Sequence, residues 1–231
     1  LPGALMLLAT AVFWAGRREF VHIPPAGRAF TRELFSPEGL SAVARLAVIF
    51  AFVAMFWALF DQTGSAWVLQ AQRMDRHFMG IDWLPSQIQA INPILILVLI
   101  PVFNGFVYPA AARWTPLTPL RKIATGFFIT GFAYLLSAQI EAWIVAGETP
   151  NIAWQLGAYL ILTAAEVLIS ITCLEFAYTQ APTRLKSIVM ALFLLSISLG
   201  NLFTSAVNFL IQDGEGNSRL AGPDYYLFFA G

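Results

Sequence analysis

From Ile152 to Leu174 the chain reads IAWQLGAYLILTAAEVLISITCL, twenty-three residues in which Glu166 is the only charge. A run of that length and character leaves few structures open. Lipid offers no partner for backbone N–H and C=O groups, so a spanning segment must satisfy them itself, and about 20 residues of helix cross a bilayer core. Further apolar runs at 41–67, 91–112, 120–143 and 184–211, with shorter ones at 1–16 and 224–231, predict an all-α, polytopic membrane helix bundle. Composition agrees: 58% of the 231 residues are hydrophobic and only 11% charged, against about 25% charged in soluble domains.

The same inventory excludes several function classes. A net charge of zero makes no case for nucleic acid. Cys173 is the single cysteine and lies inside a predicted span, which rules out a disulfide or a metal–thiolate site within the chain. His22 and His77 fall in separate loops, so no metal site or cofactor is expected. No His, Cys or Ser–Lys grouping is placed for catalysis, which argues against an enzyme. The run 1–16 is too short to span and lacks a Met and a basic leader, so it is not a signal peptide. Both ends read as cut from a longer protein. On that reading 1–16 is the end of a preceding transmembrane helix and 17–40 a linker interrupted at Pro24-Pro25 and Pro37. The bundle is then 41–231, with its last helix truncated.

Basic residues set the orientation. Arg17, Arg18, Arg28, Arg32, Arg113, Arg121, Lys122, Arg184 and Lys186 fall on one side, nine in all. Arg73, Arg76 and Arg219 fall on the other, and Arg45 lies just inside a helix. Strict alternation of the loops then places 17–40 in the cytoplasm.

A carboxylate at mid-bilayer is unfavourable by roughly 2.5–3.5 kcal/mol on translocon-based scales, so Glu166 marks the expected functional site. Gln155, Tyr159, Thr163, Glu166, Ser170 and Cys173 share about 80° of one helix face, a stripe suited to a water-filled cavity or a helix interface. A protonated acid bonded between helices is the competing reading. In the 41–67 helix, Trp57 and Asp61 are four apart and share a face, and Gly64-Ser65 offers a place for the helix to break. The 91–112 helix opens on Asn92-Pro93, and its prolines free carbonyls that protein or water must satisfy. In 184–211, Ser198, Asn201, Ser205 and Asn208 read as a close-packing stripe, with Phe193 about 100° around from it. Trp67 and Trp83 read as interface anchors.

The segments FWALFDQTGSAW (56–67), INPILILVLIPVFNGFVYP (91–109) and AAEVLISITCLEFAYTQAP (164–182) together resemble the proton-dependent oligopeptide transporters of the major facilitator superfamily. The resemblance covers nearly the whole chain, from the end of the family's sixth helix to the start of its twelfth. It implies the C-terminal half of a major-facilitator-type twelve-helix transporter, with 17–40 as the inter-bundle linker. Glu166 matches the tenth-helix acid that in the family contacts the peptide amino terminus. Asn92 matches an amide that contacts the peptide, and Trp57 an aromatic of the binding cavity. Phe193 falls where many members carry a pocket Trp. Asp61 matches the seventh-helix acid tied to proton coupling and the outward gate, where many members have Glu. Arg45 matches a basic residue that some relatives pair with an eighth-helix acid, a position held here by Asn104.

The function implied is proton-coupled import of di- and tripeptides by rocking of two six-helix bundles. Its partners are small peptides, protons as coupling ion, the lipid bilayer and an N-terminal six-helix bundle, and its expected place is a bacterial inner membrane. Two alternatives stand beside it: the same fold carrying nitrate or another anion, and a non-transporting receptor or assembly module. A dry site must meet both charges of a peptide. This chain offers carboxylates but no basic residue deep in a span, so the missing half must supply the cation.

Overall fold

Ser36 begins the first long helix: its hydroxyl accepts the Gly39 N–H at 3.0 Å, and Pro37 occupies the first turn, where a missing N–H is harmless. In this computed structural model, which describes residues 2–20, 27–181, 185–212 and 218–231, that helix starts four residues before the expected 41. Pro37 therefore opens a helix as well as closing the linker. The expected break at Pro24-Pro25, His22 and Arg184 lie outside the described residues.

Along the chain come α1 (Pro2–Gly16) and the short α2 (Arg28–Leu34). Five membrane-length helices follow: α3 (Pro37–Gln72), α4 (Pro85–Ala112), α5 (Pro119–Val145), α6 (Ala153–Gln180) and α7 (Lys186–Leu210). The eight-residue α8 (Pro223–Ala230) ends the chain. Between α3 and α4 a small hairpin pairs β1 (His77–Phe78) with β2 (Ile81–Asp82). Its two-residue turn, Met79-Gly80, has positive φ at both positions, 55° and 74°, the conformation that matches strand twist in tight hairpins.

α6 is the centre of the bundle. It packs against α4 on one side and α5 on the other, α8 covers α5, and α3 lies along α7. Two close approaches depend on missing side chains. A methyl at Gly126 of α5 would overlap Ile169 of α6, and one at Gly200 of α7 would overlap the backbone of Ala54 and Ala58 in α3. Small residues let helices meet in lipid, where no hydrophobic drive brings them together.

Three of the long helices are irregular at mid-length. α3 breaks where Gly64-Ser65 predicted it: Asp61–Gly64 tightens to a 3-10 turn, and Ser65 sits at φ −131°, ψ −86°. α4 widens to a π turn over Phe103–Val107, just before Pro109, which has no N–H for the Gly105 carbonyl and would crowd it in a tighter turn. α6 widens over Val167–Ile171, immediately after Glu166. The two wide turns face each other, with Phe103 packed on Val167 and Leu168.

The break in α3 would leave carbonyls unpaired in a dry interior, and four neighbouring helices supply donors to them. Tyr134 of α5 donates to the Leu59 carbonyl at 2.6 Å and Thr204 of α7 to Ala58 at 2.8 Å. Tyr159 and Gln155 of α6 donate to Thr63 at 3.2 Å and Trp67 at 2.8 Å, and Tyr226 of α8 to Ala66 at 3.1 Å. Buried backbone groups in a membrane protein are satisfied in this way or not at all. Trp67, expected at the membrane interface, is instead fully buried, its ring against Tyr134 and Tyr159. Half-buried Trp83 bonds the Phe78 carbonyl of the hairpin.

The stripe expected to pack α7 is divided: Asn201 bonds Asp61 of α3 and half-buried Asn208 accepts from Tyr225 of α8, but the tightest packing lies beside it. Ser198, Asn201 and Ser205 are exposed in this chain, while Val189, Ser196 and Gly200 are buried. Gly200 lets the α3 backbone come closer than a side chain would allow, so the closest approach centres there rather than on Ser198 or Ser205.

Candidate functional site

α6 delivers Glu166 at the start of its wide turn, half-buried on a span of otherwise apolar and small side chains. α4 delivers Asn92, just after its 3-10 opening over Pro85–Ala90. Its amide donates to Glu166 Oε2 at 2.8 Å and to Thr163 Oγ1 at 3.1 Å. Thr163 in turn donates to the Tyr159 carbonyl at 2.7 Å, which fixes its oxygen as the acceptor for Asn92. Two residues far apart in sequence thus form one unit with a defined polarity. The Asn92 NH2 group is committed to the carboxylate, so its carbonyl oxygen and Glu166 Oε1 are the acceptors left for a ligand. An ammonium is the group that suits two such acceptors.

The polar stripe of α6 divides. Gln155 and Tyr159, at one end, are buried against α3 and serve the helix interface. Only the stretch from Thr163 to Glu166 opens toward Asn92.

On α3, Trp57 is 9% exposed and sits in a cluster of rings. Phe193 of α7 meets it edge-on at 6.0 Å between centroids, and Phe60 does so at 5.5 Å. Its indole N–H is buried without an acceptor. One turn further, where the helix breaks, the Asp61 carboxylate accepts from the Asn201 amide of α7 at 2.6 Å. Asp61 also lies within electrostatic reach of Glu166 and Tyr134. The structure therefore joins Glu166 to Asn92, Trp57 to Phe193, and Asp61 to Asn201.

Arg45 stays apart. Because α3 starts at Pro37, Arg45 is in its third turn, not its first, exposed beside Glu38, Ser41 and Ala42. No ion pair joins it to another described residue, and Asn104 is exposed in the wide turn of α4. An amide carries no charge for an arginine to neutralise, which removes the reason for the contact.

The sequence reading missed a second buried carboxylate. Glu141 of α5 has a side chain 3% exposed and pairs with Arg73 at 2.6 Å, while Gln70 donates to its other oxygen at 3.0 Å. It is the only charge between Lys122 and Glu148, the same signal that singled out Glu166.

An apolar groove of about 640 Å³ between α3, α5, α7 and α8, lined by Leu59, Phe128, Phe132, Phe203 and Phe229, carries no charged group. It does not compete with the Glu166 site as a place for a polar ligand.

Comparison with known proteins bears on what this site serves. The sequence model described as the POT family matches residues 35–221. The chain is 31% identical over 196 residues to the Saccharomyces cerevisiae protein named peptide transporter PTR2, covering 79% of this chain and 32% of that protein. It is 45% identical over 126 residues to the Caenorhabditis elegans protein named peptide transporter 3, covering 54% and 18%. Among solved structures, the POT family transporter PepTSo superposes with a TM-score of 0.81 at 30% identity, over 100% of this chain and 61% of that one. An auto-inhibited POT family peptide transporter superposes with a TM-score of 0.80 at 30% identity, over 99% and 60%. The chain thus spans about a third of the yeast relative and less of the nematode one.

Proposed function

The chain belongs to the POT family of transporters, and from that premise we propose that it is the C-terminal half of a proton-coupled symporter importing di- and tripeptides by alternating access. The observation that carries this reading is the Glu166–Asn92 unit. A carboxylate is held by an amide on an otherwise apolar span, with two acceptor atoms free on one side. A peptide's ammonium satisfies both acceptors, while its carboxylate needs a cation that no deep position of this chain provides. An N-terminal six-helix bundle supplies that cation and closes the site from the opposite face.

The names of the yeast and nematode relatives, both peptide transporters, support this choice of substrate. Two neighbouring carboxylates without a cation beside them are the wrong chemistry for nitrate or another free anion. Trp57 and Phe193 form an aromatic wall for peptide side chains, and Asp61 is the coupling acid. Desolvation raises a carboxyl's proton affinity and a nearby cation lowers it, so an acid at a helix break is placed to meet both environments as the site opens and closes. Arg45 takes no part in the substrate site. The setting is a plasma membrane, with the 17–40 loop on the cytoplasmic side and the 73–84 hairpin outside.

The test is uptake by the full-length transporter in liposomes. A labelled dipeptide should accumulate above equilibrium when the lumen is alkaline to the medium, and a protonophore should abolish the accumulation. Uptake that merely equilibrates, whatever the proton gradient, would overturn the symport reading.

A further inference from the structure

Asn201 sits on an exposed part of α7, where an apolar residue would serve a membrane helix better. Its amide reaches Asp61 Oδ2 at 2.6 Å, and its only other acceptor is the Ile197 carbonyl of its own helix at 3.3 Å. Eight residues earlier the same helix places Phe193 against Trp57, about 12 Å along the axis at 1.5 Å per residue. Between the two contacts Gly200 rests on the backbone of Ala54 and Ala58. One rigid helix therefore touches the aromatic wall and the carboxylate together.

We propose that Asn201 is a positioning residue that ties the proton affinity of Asp61 to the seating of α7 on α3. The proposal rests on the reading of Asp61 as the coupling acid and adds how occupancy of the aromatic wall reaches it. An N–H donor stabilises a carboxylate relative to the neutral acid. While α7 is seated, Asp61 is favoured as the anion. When a ligand pressing on Phe193 shifts α7, the donor leaves and Asp61 takes a proton more readily. The amide itself does not titrate, so it acts as a pure position sensor.

The groups facing Asp61 are few. Tyr134 approaches from α5 and Glu166 from α6. The Pro85–Ala90 segment packed on the break holds no ionisable side chain. Neither do Ile197, Gly200 and Thr204 around Asn201. Among the described residues, Asn201 alone is seen to hydrogen-bond the Asp61 carboxylate.

The experiment measures proton-driven dipeptide uptake against pH for the full-length transporter in liposomes, with Asn201→Leu, Asn201→Gln and Asn201→Asp. Asp61→Asn identifies the limb of the profile that belongs to Asp61, because that limb should vanish. Asn201→Leu should move its midpoint to higher pH by about half to one unit, a three- to tenfold rise in proton affinity. Asn201→Gln, which keeps a donor on a longer arm, should return it most of the way. Asn201→Asp should move it further upward through like-charge repulsion, and it reads the same contact should the Leu variant not fold. A wild-type midpoint in Asn201→Leu, or an equal shift in Asn201→Gln, overturns the proposal while leaving Asp61 as the coupling acid. If instead Asp61→Asn leaves the limb in place, the coupling reading falls and this proposal with it.

Discussion

On the Arg45 side of its break, α3 lies along α7 mainly through shape: Gly200 admits the Ala54 and Ala58 backbone and rings interlock around Trp57, with Thr204 bonding the Ala58 carbonyl and Asn201 bonding Asp61. On the Arg73 side the same helix is fastened by polar bonds. Gln155, Tyr159 and Tyr226 donate to its carbonyls, and Arg73 and Gln70 clasp Glu141. Parting a seam built mostly on shape leaves fewer polar groups unpaired in oil than parting a polar clasp. The α3–α7 seam is therefore the more easily parted of the two, with Asp61 at the joint between them.

Substitutions that add volume or remove polarity separate the two regions. Gly200→Val places a side chain into the Ala54 and Ala58 backbone, which has no freedom to yield, and should destabilise the full-length protein by about 3 kcal/mol. Gly157→Ala is the control in the anchored region. Its methyl meets only the Leu136 side chain, at 3.8 Å, so the melting temperature in detergent should hold or rise slightly. Equal losses at the two positions would erase the contrast.

Glu141→Ala is the next largest. Breaking a fully buried ion pair costs about 3–5 kcal/mol, but the Arg73 side chain is 49% exposed and turns to water when its partner goes. Gln70 also keeps the Ser137 carbonyl at 3.0 Å. The expected loss is therefore about 1–2 kcal/mol, with Glu141→Gln losing less because it still accepts from Gln70. Thermal unfolding of the three proteins side by side checks the order.

The smallest effect lies in the loops beyond the clasp. The Asp75 carboxylate accepts the His77 backbone N–H at 3.0 Å and the Asn151 amide at 2.8 Å, which hold its pKa below the usual carboxylate range. A carboxyl with a depressed folded value stabilises the folded state above its unfolded pKa, near 3.9, and that contribution disappears as pH falls through the depressed value. The protection of the Ile152 amide, whose N–H bonds the Asp75 carbonyl at 2.8 Å, measured relative to its intrinsic exchange rate, should fall below about pH 4, and Asn151→Ala should start that fall at higher pH. A flat profile would detach the loop from the anchored region.

How far the sequence could foresee this division depends on the kind of signal. Long apolar runs announce spans, and a lone charge such as Glu166 announces a site, because both stand out against composition. The Gly64-Ser65 break was legible for the same reason. The resemblance placed Asn92 and Glu166 separately at the peptide site, but their bond to each other was not foreseen, since nothing local says which helix an amide will face across 74 residues. The tyrosines that bond the broken helix were unreadable, because an aromatic in a span looks like packing until the carbonyl it serves is placed. Helix starts at Pro37 and Pro85 came earlier than expected because polar first turns carry no apolar signal. The α7 seam was legible in part: Asn201 and Asn208 bond neighbours, but the close approach at Gly200 carries no side-chain signal.

The central claim is that Glu166, held by Asn92, receives a peptide's ammonium, and affinity measured on the full-length transporter tests it most directly. For Glu166→Gln, binding of a free-amine dipeptide should weaken at least about tenfold, or 1.4 kcal/mol, while its N-acetylated counterpart should bind as it does to the unaltered protein. Equal weakening of both ligands would contradict the account.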